Sequence, residues 1–345
     1  MLLKKLISNF INAGIQIMLT SYIQAWVVLT AVLISTAVDA EPVIKQGPYE
    51  IYDNRALQVF NLDAPIETLA TGFEWLEGPV WVEEGGYLLF SDIPTHRVYR
   101  YQPEQGVHLY LADSGYSNGL VLNNDNELVL LQSRSRKIVT MASSVNDPKT
   151  NYRDLVSRYQ GQQLNSPNDG IFNQQGTLFF SDPPYGLAKQ LDDPAKELSF
   201  QGVYSLNAKG QLNVLDKQLI YPNGVALSGD EKTLYVAASN PDKPAWYRYQ
   251  LNQDGTVKNK ALFYQLPAVA DNSHGLPDGL KIHPTGIIFA TGPGGLWLFD
   301  ENAQLLAKVS LPTISANLAF NAQKNRVYIT AHTHLLSFSL NTGLQ

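Results

Sequence analysis

The chain contains no cysteine. That excludes a disulfide framework, a cysteine nucleophile, zinc–thiolate or iron–sulfur ligation and lipoprotein acylation, and leaves oxygen and imidazole as the possible metal ligands. Charge is sparse too: 16% of the 345 residues are Asp, Glu, Lys or Arg, and the balance is -6. An acidic chain without a basic block lacks the clustered Lys and Arg that phosphate backbones need, so nucleic acid is not an expected partner. No apolar run reaches the ~20 residues that cross a bilayer as a helix, and helical periodicity is almost missing after Ile51. What is plentiful is apolar and turn-forming: 44% hydrophobic residues, 25 Gly and 19 Pro, too apolar a chain for disorder.

Residues 1–40 do not resemble the rest. Lys4 and Lys5 precede an apolar run from Ala25 to Ala37, followed by Val38-Asp39-Ala40. A basic start, a short apolar run and small residues at its end are the signature of a secretory signal peptide, with cleavage expected after Ala40. The long basic segment makes Met18 an alternative start. An uncleaved anchor is the competing reading, and the apolar run is short for it. The expectation is an exported protein, periplasmic or secreted and off the membrane after cleavage, with residues 41–345 as one domain.

Beyond residue 51, short alternating apolar segments rich in Val, Leu, Tyr and Phe are separated by Gly, Asn, Asp or Pro turns, which is an all-β pattern. Six of them align, beginning at Glu77, Ser117, Pro167, Pro222, Pro277 and Ser315. Aligned on Gly78, Gly119, Gly170, Gly224, Gly279 and, in the sixth, Asn317, they step by 41, 51, 54, 55 and 38 residues. Such steps suit four-stranded blades joined by variable loops, so the expected fold is all-β, a six-bladed β-propeller. The segment around Leu57, Val59 and Ile66 is expected to supply the outer strand of the last blade and close the ring.

In a propeller the first strand of each blade lines the central channel, so the residues before the aligned Gly converge. They are Glu77, Asn118, Asp169, Asn223, Asp278 and, in the sixth blade, Ala316, with Asn168 one residue earlier in the third. Acids and amides around one axis repel or go unsatisfied unless a positive charge sits among them. Oxygen ligands without thiols select a hard divalent cation, Ca²⁺ first, with Mg²⁺, Mn²⁺ or Zn²⁺ as alternatives. Any one Asx-Gly pair is an ordinary turn; the repeated placement, and Glu77 in particular, points to a site.

At these residues the chain resembles the SMP-30/gluconolactonase (regucalcin-like) family of six-bladed propellers. The matching strings are EGPVW at 77–81, NSPNDG at 165–170 running to FFSDPPYG at 179–186, PNGVALSGDEKTLYVAAS at 222–239, and LPDGLKIHPTGIIFATGPGGLWLFD at 276–300. The resemblance implies a divalent cation held by Glu77, Asn168, Asn223 and Asp278, which selects Asn168 over Asp169 as the ligand. It also implies hydrolysis of a small sugar lactone, with the cation polarising the carbonyl and a carboxylate activating water.

Asp278 is the first candidate for the base and Asp169 the second. Asn118, Asn168, Tyr185 and His274 are candidate substrate contacts. No G-x-S-x-G string is present, so an acyl-enzyme is not expected. His332 and His334 would share a strand face, as a second metal pair, only if their segment stayed extended. The same ligand set would also serve a non-catalytic propeller that binds Ca²⁺ or a sugar acid, or a related metal-dependent esterase or phosphotriesterase.

Overall fold

The computed structural model describes residues 41–268 and 274–341. The signal-peptide expectation for residues 1–40 lies outside them. Among the described residues no helix is long and apolar enough to cross a membrane. They form six antiparallel sheets around a common axis, a six-bladed propeller with four-stranded blades, plus a small hairpin of Arg158–Tyr159 and Gln162–Gln163.

The first strands of the blades are Leu76–Val82, Ser117–Leu122, Gly170–Phe172, Pro222–Leu227, Leu280–Ile282 and Asn317–Phe320. Each pairs with the next strand in sequence, and the first three strands of every blade run outward from the axis as a meander. Alternation explains how the ring packs. In Leu178–Asp182, Leu178 and Phe180 join the cluster shared with the second blade, while Phe179 joins the one shared with the fourth. Successive side chains point to opposite sheet faces, and here both faces are covered by neighbouring blades. The core is therefore six interblade clusters rather than one centre. Each fully buried Phe or Leu contributes roughly 1.5–3 kcal/mol on burial.

Two features differ from the expectation. The sixth blade is closed by Glu67–Thr71, which pairs with His334–Ser339; Leu57 and Val59 instead belong to a 3₁₀ turn, Asn54–Gln58, and its cap, packed between the fifth and sixth blades. The closing strand does come from the N-terminal side, displaced by a few residues. In addition, a hairpin of Ile44–Gln46 and Tyr49–Ile51 adds two strands to the fifth blade through pairing with Leu305–Ser310. It covers an edge that would otherwise be open.

At the axis the inner strands nearly touch. The Gly119 N–H donates to the Asn168 carbonyl at 2.7 Å and the Gly279 N–H to Ala316 at 2.7 Å. A Cβ on Gly224 would stand 2.3 Å from the Asp278 carbonyl, and one on Gly78, whose φ is +53°, 2.1 Å from the Asn118 carbonyl. The repeated glycine is thus where one blade's backbone leaves room for the next, which brings the preceding side chains together at one mouth.

Candidate active site and metal centre

Loops leading into the inner strands are held by acids at the ends of the second strands. Asp92 accepts the backbone N–H groups of Trp75 at 2.9 Å and Glu74 at 3.2 Å. Asp182 accepts those of Asn165 at 2.8 Å and Ser166 at 2.7 Å. Both acids are buried. Burial pushes the Asp182 carboxyl up to about 7 against the opposing pull of those two N–H groups. The Ser166 hydroxyl ties down the adjoining loop by donating to the Pro183 carbonyl at 2.6 Å and accepting from Gly186 N–H at 2.9 Å. Glu77 and Asn168 enter the channel from these clamped loops.

A cavity of about 540 Å³ opens at this mouth. Glu77, Asn118, Asn168, Tyr185, Asn223 and Asp278 all line it, against an apolar wall that includes Trp75, Ile93, Leu276 and Ile314. All four expected metal ligands therefore share one cavity with two further expected substrate contacts, Asn118 and Tyr185. Trp75, an aromatic residue, is part of this wall rather than of the interblade core.

Two expected members fall outside the cavity. Asp169 lines a separate depression with Val80, Leu120 and Lys281. Its carboxylate accepts the N–H of Gly170 at 2.9 Å and of Val225 at 3.2 Å and pairs with the Lys281 ammonium at 3.7 Å. Backbone alternation sends Asn168 and Asp169 to opposite sides, so this acid ties the third blade to the fourth and fifth. His274 is exposed, and only its neighbours Gly275 and Leu276 line the cavity. The His332–His334 pair does not form an extended face either: His332 sits in a hairpin turn with φ of +51° and packs against Trp75 at 5.1 Å.

The electrostatics of these side chains favour a positive charge beside them. Burial, and then the negative charge of Asp169, raises the Glu77 carboxyl to about 8, with the Gly78 N–H at 3.1 Å opposing. Burial, then Glu77 and Asp169, pushes Asp278 well above the usual carboxylate range. Lys281 is the cation that pulls both back down. Asn317, the sixth blade's occupant of the glycine position, supports Glu77. Its side-chain Oδ1 accepts from Leu318 N–H at 2.9 Å and from the Lys281 ammonium at 3.1 Å, and the same side chain hydrogen-bonds Glu77.

The amides are suited to ligation. Asn223 donates its nitrogen to the Ser239 hydroxyl at 2.9 Å, and that hydroxyl donates to the Pro277 carbonyl at 2.6 Å. The Asn223 nitrogen is thereby committed and its carbonyl oxygen left for the cavity. The Asn118 Oδ1 is buried without a hydrogen-bond partner among the described residues, a costly state that a cation or a donor would relieve. Among the described residues no group of three or more His, Asp or Glu could hold an ion; the donor set here is two carboxylates and neutral amides, which suits a hard cation.

Sequence reasoning missed Arg134 and Ser133, which also line the cavity from a hairpin turn in the second blade. Turn residues carry no period, so the repeat could not reveal them.

Residues 75–333 match the model of the SMP-30/gluconolactonase/LRE-like region. The chain is 34% identical over 280 residues to a gluconolactonase of Zymomonas mobilis, covering 76% of this chain and 77% of that one. Among solved structures it resembles a Xanthomonas campestris gluconolactonase at 29% identity and a TM-score of 0.75, over 89% of this chain and 99% of that one. The fold is shared with a calcium-binding regucalcin of Agrobacterium tumefaciens at 16% identity and a TM-score of 0.66, over 81% and 96% of the respective chains. With a propeller whose inner-strand Glu, Asn and Asp residues converge on one cavity, and with that match along most of its length, the chain belongs to the SMP-30/gluconolactonase family.

Proposed function

We propose that the protein is a divalent-cation-dependent hydrolase that opens small sugar lactones, working as an exported enzyme. The carrying observation is the meeting of Glu77, Asn168, Asn223 and Asp278 in one cavity, where burial raises the proton affinity of both carboxylates and the charge of Glu77 raises that of Asp278 further. The names of the relatives support the substrate class, and the basic start and apolar run of residues 1–40 support export.

Glu77, Asn168, Asn223 and Asp278 would hold the ion, Ca²⁺ first, which when bound polarises a lactone carbonyl and favours ionisation of water. The chain's own residues supply the remainder. Asn118 Oδ1 accepts from a sugar hydroxyl and so acquires the partner it lacks. The Tyr185 phenol is held above its ordinary range by burial and by the negative charges of Asp278 and Glu77, against the Ser239 hydroxyl, so it remains a donor at neutral pH. It stacks on Tyr221 with ring centroids 5.7 Å apart, which fixes its direction. Asp278, ionised once the cation is bound, would take the proton of the attacking water. Trp75, Ile93, Leu276 and Ile314 exclude bulk water from that side of the cavity.

The test is proton release from a panel of aldonolactones, simple esters and phosphotriesters with the purified protein. Lactone opening that exceeds ester and phosphotriester turnover supports the reading. Tight cation binding with no turnover of any member would establish a binding protein instead.

A further inference from the structure

The cavity contains a cation that this chemistry does not use. Arg134 is the only Lys or Arg among the described residues that line it. Its guanidinium lies over the Tyr116 ring, 4.9 Å from the centroid, and no ion pair or hydrogen bond joins it to another described residue. Two residues on, in the same turn, Arg136 is buried and donates to the carbonyls of Leu164 at 2.8 Å, Asn165 at 3.1 Å and Ala195 at 2.8 Å. One arginine of the turn is spent on the fold; the other keeps its N–H groups for the cavity. Arg134 is not the counterion of the carboxylates either, since the positive charge acting on Glu77 and Asp278 is that of Lys281.

The platform beneath Arg134 is built. Tyr116 has φ of +59°, a left-handed conformation that is unfavourable for a bulky residue and persists where surroundings impose it. Both sequence neighbours of Arg134 impose it. The Ser133 N–H donates to the Tyr116 carbonyl at 3.1 Å, and the Ser135 hydroxyl donates to the Gly115 carbonyl at 2.9 Å. The Tyr116 ring also packs near the His96 ring, with centroids 5.1 Å apart. A stacked guanidinium loses less freedom when it binds a planar or tetrahedral anion, because its fork of donors is already oriented.

We propose that Arg134 determines substrate specificity by selecting lactones that carry an anionic group, a carboxylate or a phosphate, away from the ring carbonyl. The inference rests on the lactonase reading and goes beyond it. Neutral sugar hydroxyls have partners in Asn118, Tyr185 and Ser133; a full positive charge on an aromatic platform is matched by an anion.

The experiment compares wild type, Arg134→Gln and Arg134→Lys on three substrates: a neutral hexonolactone, an aldaric monolactone and a phosphorylated hexonolactone. Wild type should favour at least one anionic lactone over the neutral one, and which arm responds identifies carboxylate or phosphate. In Arg134→Gln the anionic-to-neutral ratio of kcat/KM should fall at least tenfold, mainly through KM, with part of it restored in Arg134→Lys. An unchanged ratio, or a wild type that prefers the neutral lactone, overturns the proposal. If wild type opens no lactone, the lactonase reading fails by itself. Calorimetric titration with an aldonate and an aldarate then decides the point: tighter aldarate binding that disappears in Arg134→Gln supports the role, and equal binding refutes it.

Discussion

Consider the metal-free protein as pH is raised from 5 to 8.5. Glu77 is 4% exposed, and its carboxyl is raised from 4.5 to about 8. The folded state therefore holds a proton that the unfolded chain has released, and stability must fall with pH across that window. Below about 4.5 both states are protonated and nothing is lost; above about 8 the loss is complete. The slope for one group is at most about 1.4 kcal/mol per pH unit, so the Glu77 contribution approaches about 5 kcal/mol. That corresponds to a melting-temperature decrease on the order of 10 °C. Asp278 and Asp182 are shifted in the same direction and steepen the decline. Thermal denaturation in chelator at half-unit pH steps measures it, with Glu77→Gln as the comparison that isolates this residue. Saturating divalent cation should flatten the curve, since the ionised carboxylate is then the favoured form. A metal-free melting temperature that is level or rises from pH 5 to 8, or a Glu77→Gln variant with the wild-type slope, would refute the reasoning.

Other outcomes follow from single contacts. Asn118→Ala should lower lactone kcat/KM by roughly tenfold or more while changing stability by under about 0.5 kcal/mol, because the deleted oxygen has no partner to lose; kinetics paired with urea denaturation checks both. Asp182→Ala should cost about 2–4 kcal/mol in the same denaturation assay, since it leaves the Asn165 and Ser166 N–H groups buried and unpaired. Gly224→Ala should lose more than about 3 kcal/mol, because the added methyl group would stand 2.3 Å from the Asp278 carbonyl. That loss should be accompanied by weaker cation binding, as read by calorimetry.

The ring was legible in the sequence because its cause is repetitive. Glycine recurs wherever an inner strand passes close to its neighbour, and the residue before it, or two before it in the third blade, faces the mouth. Features that occur once were harder to read. Ile44–Gln46 and Tyr49–Ile51 are three-residue strands, too short to show a period, and only pairing with Leu305–Ser310 makes them strands. The adjacent Asn168 and Asp169 look interchangeable as letters; backbone alternation separates them, one toward the cavity and the other toward Val225 and Lys281. Asn317 looks like a lapse in the glycine pattern, yet its amide supports Glu77. Arg134 has no sequence signal of its own, since its placement depends on the backbone conformation of Tyr116, which only the folded blade shows.

Glu77, Asn168, Asn223 and Asp278 are proposed to act as one cation site on which turnover depends. The most direct measurement strips the protein of metal and adds back Ca²⁺ or Mn²⁺ while bound metal and lactone opening are followed in the same sample. Turnover should be negligible at zero occupancy and rise linearly until it levels off at one ion per chain. Full lactone opening by the metal-free protein would contradict it.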